Sequence, residues 1–271
     1  MICWRKQKMK IKLGCDPEAF LIDVQGQLKS SIGLIGGSKE HPMPLEPLGE
    51  GYCVQEDNVA IEFNIPPAEG RSQFVGSIRK TLNFLMEGIN TEYGFTISTS
   101  SAASFPETEL QTPQARMFGC DPDYNAWTKE ANPKPKAADA NLRSCGGHVH
   151  VGYDKMKADP AKVIQLMDLF LGVPSVLMDT GELRKELYGK AGAYRDKSYG
   201  VEYRTLSNFW IFQDHLIEWV WDNTSKAVDA AESLLTLSEE DGTDIISAIN
   251  NNDKEIAMKL IKKFNLEVVH V

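Results

Sequence analysis

Within residues 54–65, every second side chain from Val59 to Ile65 is a large apolar one, a spacing that is typical of a β-strand and not of a helix. A period of two residues is typical of a strand that packs one face against the core and has a polar opposite face. Pro66 and Pro67 end the pattern, because proline cannot donate to a sheet ladder. The apolar positions are Val59, Ile61, Phe63 and Ile65, and between them lie Asn58, Ala60, Glu62 and Asn64.

The acids at the start of this segment can lie on either face. If the strand is continuous, Glu56 shares the face of Glu62 and Asp57 points the other way. A bulge at Asp57-Asn58 would change that assignment. Both acids therefore remain candidates for the polar face.

Three further strand-like segments carry ionisable residues two positions apart. They are GCDPEAF at 14–20, CGGHVHVG at 145–152 and YGVEYR at 199–204. Residues two apart share a strand face, which pairs Asp16 with Glu18, His148 with His150, and Glu202 with Arg204. Each pair alone is a weak signal, but acids collected against apolar strands need compensating cations. The four segments together predict a metal site.

Helical spacing of apolar residues dominates the rest of the chain. It predicts a helix over 70–93, a second over 159–178 that is kinked or broken near Gly172-Val173-Pro174, and helices from about 213 onwards. Because strands and helices do not alternate regularly, the pattern favours an α+β fold with an antiparallel sheet and helices on one face. We predict a catalytic domain over residues 9–225 and a helical extension over 226–271 packed on it.

Composition excludes several classes of partner. The net charge is −9 and no Lys/Arg cluster is interleaved with aromatic residues, which argues against nucleic acid. The most apolar stretch, 166–178, is interrupted by Asp168, Gly172 and Pro174, so no membrane span is predicted. The N-terminus lacks the apolar stretch of a secretory signal, and the five cysteines form no CxxC pair. These features predict a cytoplasmic protein with reduced cysteines.

The types of ligand indicate which metal would bind. Carboxylates with one histidine suit Mg²⁺ or Mn²⁺ better than Zn²⁺. The other histidines, His41, His215 and His270, fall in a loop, a helix and the tail, and supply no obvious third zinc ligand. Two alternatives stay open: a metal-dependent amide hydrolase that uses the His-x-His pair, and a non-catalytic binding module. No Walker A or dinucleotide-binding motif is present.

The segments GCDPEAF, EDNVAIEFNIPP, GGHVHVG and YGVEYRTLSNFW, in this order, resemble the phage-type carboxylate–amine ligases of the glutamine synthetase and glutamate–cysteine ligase superfamily. The resemblance covers about residues 9–212. It implies a curved antiparallel sheet with helices on its outer face. It also implies an enzyme that uses ATP to convert a carboxylate into an acyl phosphate, which an amine then attacks. A peptide or a protein is one option for the substrate, and the oligomeric state is open.

The resemblance also implies roles for individual residues. The implied metal ligands, for Mg²⁺ or Mn²⁺, are Glu18, Glu62, His148 and Glu202, with Asp16 and Glu56 or Asp57 as further candidates. The implied ATP contacts are His150, Arg204 and Arg195. Arg204, Arg195 and Glu202 are the candidate catalytic residues, with Arg204 neutralising the transferring phosphoryl group. If a phage encodes the chain, the expected location is the host cytoplasm.

Overall fold

The computed structural model describes residues 10–117, 123–135, 138–233 and 235–270. Met9, where the predicted catalytic domain begins, lies outside the described residues. The strands are β1 Lys12–Ala19, β2 Leu21–Ile22, β3 Leu28–Lys29, β4 Met43–Pro44, β5 Cys53–Asp57, β6 Ala60–Asn64, β7 Thr96–Ile97, β8 Ala102–Ser104, β9 Tyr124–Asn125, β10 Leu142–Ser144, β11 Gly147–Gly152, β12 Ala193–Lys197 and β13 Gly200–Tyr203.

Helices occupy much of the rest of the described chain. They are α1 Arg71–Tyr93, α2 Pro113–Arg116, α3 Pro160–Met167, α4 Val173–Met178, α5 Arg184–Leu187, α6 Asp214–Glu232, α7 Glu239–Asn250 and α8 Lys254–Phe264. Short 3₁₀ turns lie at 46–48, 107–109 and 208–212. Helix α3 contacts β12 and β13 of the large sheet, and α6 packs against α1 and α3.

One large sheet organises the fold. Its eight strands run in the order β4-β5-β6-β1-β11-β13-β12-β9, and every neighbouring pair is antiparallel. Side chains of β1, β11 and β13 alternate strictly between its two faces. Leu13, Cys15, Val149, Val151 and Val201 are buried in the main hydrophobic cluster together with residues of the helices. The predicted α+β class with an antiparallel sheet is therefore confirmed.

The segment 53–64 is a hairpin, so the prediction of one continuous strand is wrong. The chain reverses through Asn58 and Val59, and Asn58 takes a left-handed backbone conformation with φ 55°. Asparagine tolerates that conformation better than most residues, which favours a tight turn here. In the resulting register Gln55 lies opposite Glu62 and Asp57 opposite Ala60. The reversal moves Asp57 to the face of Glu62 and Glu56 to the other face.

The predicted break near Gly172-Val173-Pro174 is instead a π-helical turn at Asp168–Gly172 that joins α3 to α4. The N–H of Val173 donates to the carbonyl of Asp168, and Pro174 has no N–H that an α-helical bond would need. Together the stretch Pro160–Met178 has a mean hydropathy of 1.5, enough by length and composition to span a membrane. However, 72% of it is buried inside the protein, as in a core helix.

The C-terminal helices join the same core. Ile245, Ala248 and Leu260 are fully buried in the main hydrophobic cluster, which also contains residues of α3 and α6. Helix α6 runs from Asp214 to Glu232 and so passes through position 225, where we predict a domain boundary. The division into 9–225 and 226–271 stays a prediction.

Candidate active site

The strand register brings the predicted site residues onto one face of the large sheet. Glu18 lies opposite Glu62, and Asp16 lies opposite His148. His150 lies opposite Glu202, which in turn lies opposite Arg195 on β12. Residues directly opposite in antiparallel strands share a face, so this face continues across β6, β1, β11, β13 and β12.

The first cluster on this face, called group A, contains Asp16, His148 and Glu202. Their ligand atoms lie within 4.8 Å of one another. Glu202 is fully buried, and His148 is 3% exposed. The buried oxygens Asp16 Oδ1 and Glu202 Oε2 receive no well-aligned hydrogen bond from the described residues, although His150 Nε2 lies 3.0 Å from the first and Lys197 Nζ 2.8 Å from the second. Two buried anionic oxygens beside an imidazole nitrogen fit a divalent cation.

Electrostatics keep group A in the protonation states that a metal needs. Burial raises the pKa of Asp16, but the charges and hydrogen bonds of His150 and His148 outweigh it and hold that pKa well below its usual value. Burial and the nearby Arg204 lower the pKa of His148 to about 4. Burial and Asp16 act to raise the pKa of Glu202, but Arg204 and the histidines lower it to about 2. At neutral pH the group therefore offers two carboxylates and a neutral imidazole.

The second cluster, group B, contains Glu18, Asp57 and Glu62, whose carboxylate oxygens also lie within 4.8 Å of one another. Glu18 Oε2 accepts a hydrogen bond from the N–H of Gly146 at 2.7 Å. Glu62 Oε1 accepts one from Gln55 Nε2 at 2.9 Å. In the described part of the chain, none of the three forms an ion pair with a lysine or arginine. An oxygen-only group of this kind fits Mg²⁺.

Burial and the close negative charges of group B raise the pKa values of its glutamates. Burial, and then the charge of Asp57, raise the pKa of Glu18 to about 8. Burial raises the pKa of Glu62 well above its usual value, and the charges of Asp16 and Asp57 add to the effect. Both shifts have the sign expected for carboxylates that lack a compensating cation.

Of the two alternative ligands predicted from the sequence, Glu56 and Asp57, Glu56 lies outside both groups. Its Oε1 accepts hydrogen bonds from the N–H groups of Gly33 at 2.8 Å and Gly36 at 2.9 Å. The hairpin turns Glu56 away from Glu62, and the carboxylate instead holds the Gly-rich loop that precedes β4. Asp57 takes the position in group B.

The two predicted arginines both contact Glu202. Arg204 forms a close ion pair with Glu202 Oε1, and its Nη1 lies 3.3 Å from His148 Nδ1. Arg195 Nη1 lies 3.3 Å from the same oxygen of Glu202. Arg204 is largely buried. Two guanidinium groups thus converge at the edge of group A, where an anionic ligand would meet them.

Sequence reasoning missed two residues at this edge, Lys197 and Tyr199. Lys197 Nζ lies 2.8 Å from Glu202 Oε2. The hydroxyl of Tyr199 hydrogen-bonds to His150 Nδ1, and the two rings stack with centroids 6.1 Å apart. Buried Arg184 donates to the carbonyl oxygen of Thr205 at 3.0 Å, just beyond β13. Lys197 is two residues from Arg195 on β12, so strand parity alone was enough to find it.

A pocket of about 260 Å³ adjoins His150 on the same face of the sheet. Gly14 and Gly152 form part of its lining, and a side chain at either position would occupy the space. The ring of Tyr199 and the apolar side chains of neighbouring residues complete it. The full lining is Lys12, Gly14, Cys15, Asn64, Ile65, Pro67, His150, Gly152 and Tyr199.

Behind the sheet, the buried carboxylate of Asp168 ties several elements to the strand that carries Glu202. It accepts hydrogen bonds from Trp127 Nε1 at 2.7 Å, the N–H of Gly192 at 2.6 Å and Tyr203 Oη at 2.8 Å. Thr205 Oγ1 donates a fourth at 3.2 Å. Burial raises the pKa of Asp168 to about 6 despite these donors. Its position in the π-helical turn gave no signal in the sequence.

Comparison with known proteins identifies the family. The sequence model of the family described as "Phage phiEco32-like COOH.NH2 ligase-type 2" matches residues 137–271, which include His148, His150, Arg195, Glu202 and Arg204. The chain belongs to this family. Membership in the COOH.NH2 ligases supports an enzyme that joins a carboxylate to an amine, and it confirms the predicted resemblance.

Two other comparisons of this chain add less information. No curated protein matches its sequence. Among solved structures, a bifunctional glutathione synthetase from Pasteurella multocida resembles it with a TM-score of 0.44 and 10% sequence identity. That alignment covers 94% of this chain and 49% of the synthetase, so the chain spans about half the length of that protein.

Proposed function

We propose that this ligase depends on ATP and Mg²⁺ and forms its amide bond through an acyl phosphate. The carboxylate oxygen of one substrate attacks the γ-phosphorus of ATP and ADP leaves. The amine nitrogen of the other substrate then attacks the acyl carbon and inorganic phosphate leaves. The observation that supports this most is the presence of groups A and B side by side on one sheet face, with two arginines against group A.

The donor atoms of both groups fit Mg²⁺ or Mn²⁺. Group A would hold a cation through Asp16, His148 and Glu202, and group B through Glu18, Asp57 and Glu62. When bound, the metal ions offset the repulsion between the polyphosphate and the anionic carboxylate. A zinc site built from three histidines does not fit, since each group contains at most one histidine in the described chain.

The side chains around group A suit the binding of a polyphosphate. Arg204 and Arg195 converge on Glu202 and would stabilise charge on the transferring phosphoryl group, a contribution of roughly 10³-fold or more in comparable systems. His150 stands between group A and the glycine-lined pocket. We therefore place the phosphates of ATP beside His150 and its base in the pocket, against the ring of Tyr199.

Thermal unfolding of the purified protein tests the proposal. Mg²⁺ with a non-hydrolysable ATP analogue should stabilise the protein far more than either alone. The expected gain is about 2.7 kcal/mol at a hundredfold excess over Kd. Glu202→Gln should lose this gain and lose ATP turnover, because it removes a charged ligand of group A. Glu56→Gln removes the same charge on the other face of the hairpin, and it should keep both the stabilisation by ligand and the ATP turnover.

Each remaining outcome favours a different function. Wild-type turnover of ATP in Glu202→Gln would refute the site. Strong stabilisation by Zn²⁺ or Mn²⁺, with no response to nucleotide, would favour the amide hydrolase. No stabilisation by any of these ligands would favour a non-catalytic binding module.

A further inference from the structure

Glu202 contacts three cationic side chains, and they do not contact it in the same way. Arg195 and Arg204 both approach Oε1. Of the described cationic side chains, only Lys197 approaches Oε2, with its Nζ at 2.8 Å. Oε2 is also the buried oxygen of Glu202 that has no aligned hydrogen bond from the described residues. The lysine is therefore an ion-pair partner of this oxygen without a directed hydrogen bond.

The three cations also differ in freedom to move. The side chains of Arg204 and Arg195 are 8% and 15% exposed, whereas that of Lys197 is 31% exposed. Lys197 is the last residue of β12, directly before the turn to β13. A lysine ammonium is a compact charge on a flexible stem, unlike the planar guanidinium of arginine. Lys197 can leave Glu202 without disturbing the buried strand.

The ammonium of Lys197 lies where a cation bound to group A would need Glu202. Like charges at such short separation repel each other strongly in a partly buried site. A divalent ion and the Lys197 ammonium therefore compete for the same carboxylate. We propose that Lys197 is an internal counter-ion of group A, which a divalent cation displaces and which then pairs with the polyphosphate of the nucleotide.

This inference rests on the proposed metal and nucleotide site, and adds to it a residue that changes partner during ligand binding. The turn that follows Lys197 contains Tyr199, which contacts His150 and lines the glycine-containing pocket. The displaced ammonium thus starts next to the place proposed for the phosphates. A lysine that had only a structural role would keep the same partner with and without ligand.

Direct binding of Mn²⁺, followed by electron paramagnetic resonance, provides the first test. Without nucleotide, Lys197→Met should bind Mn²⁺ about tenfold more tightly than the wild type, since coupling between ligands at one site has this scale. With Mn²⁺ bound, the same variant should bind the non-hydrolysable ATP analogue more weakly. Lys155→Met is the matched control and should change neither affinity.

Lys155 suits this purpose because its environment resembles that of Lys197. Its side chain is also 31% exposed, and its Nζ contacts Asp196 Oδ1 at 2.5 Å and the carbonyl oxygen of Lys197 at 3.0 Å. It does not contact Glu202. If Mn²⁺ binding became equally tighter in both variants, the loss of any nearby positive charge would explain the effect, and the proposal would be overturned. Unchanged or weaker Mn²⁺ binding in Lys197→Met would also overturn it.

Chemical labelling of lysine amines in the wild type tests the displacement itself. Limited acetylation, read by mass spectrometry, should modify Lys197 faster when Mg²⁺ is added and more slowly when the ATP analogue follows. Lys155 is the internal reference. If the protein binds Mg²⁺ but the labelling rate of Lys197 does not change, the displacement of Lys197 is refuted and the proposed function is unaffected. If the wild-type protein binds neither Mn²⁺ nor Mg²⁺, both the displacement of Lys197 and the proposed function are refuted.

Discussion

Glu18 in group B links the site to the stability of the protein. Its pKa is about 8 against an ordinary value of 4.5. A shift of one pKa unit corresponds to about 1.4 kcal/mol. At pH 7 Glu18 is ionised in the unfolded chain but mostly protonated in the metal-free native protein, and the proton uptake on folding costs about 3 kcal/mol. Glu18→Gln removes that cost, because glutamine does not ionise, and it weakens the hydrogen bond from the Gly146 N–H by about 1 kcal/mol. We expect the variant to be more stable than the wild type by roughly 2 kcal/mol.

The direction of the pH dependence follows from the raised pKa. The native protein holds the Glu18 proton more tightly than the unfolded chain does, so the penalty is absent below about pH 4.5 and grows until about pH 8. Urea unfolding in EDTA, followed by circular dichroism, should show the largest difference between variant and wild type at pH 7 to 8. The difference should shrink as the pH falls to 5.

Saturating Mg²⁺ should reverse the order of stability, because a cation in group B relieves the repulsion in the wild type and loses a ligand in the variant. Glu56→Gln serves as the control. Glu56 accepts hydrogen bonds from Gly33 and Gly36 outside group B, so this variant should gain as much stability from Mg²⁺ as the wild type does. A Glu18→Gln protein that is less stable than the wild type at pH 7 in EDTA would refute this account of group B.

Three further substitutions test the packing of the sheet and of the helices. Gly147→Ala would place a Cβ atom 2.3 Å from the carbonyl oxygen of Ser207, so we expect a loss of at least about 3 kcal/mol in urea unfolding. Gly76→Ala on α1 meets no atom within 4 Å and should stabilise the protein by up to about 1 kcal/mol. Asp168→Ala leaves four hydrogen-bond donors without their acceptor and should lower the free energy of unfolding by at least about 3 kcal/mol. A thermal melting temperature equal to that of the wild type would contradict either destabilising prediction.

Much of the site was predictable because strand parity is a local property. His148 and His150, or Asp16 and Glu18, share a face wherever their strand lies in the sheet. The order of the strands is not local, and the sequence did not show that Asp16 would meet His148 while Glu18 meets Glu62. The division into groups A and B could therefore be found only from the structure.

The prediction for residues 54–65 failed for a different reason. Alternation has the same period in one long strand and in two short strands joined by a two-residue turn, and Asn58 was a weak signal for the turn. Reversal at that turn exchanged the faces of Glu56 and Asp57. Asp168 was missed because its partners lie up to 41 residues away in sequence, in three other segments.

Strand β1 contributes one residue to each ligand group, Asp16 to group A and Glu18 to group B. Two residues of an extended strand span roughly 7 Å, a length that bond geometry sets and that loops cannot alter. The backbone of β1 thus fixes the separation of the two groups. Insertions elsewhere can reshape the surroundings of each group for new substrates, while the distance between the groups stays constant.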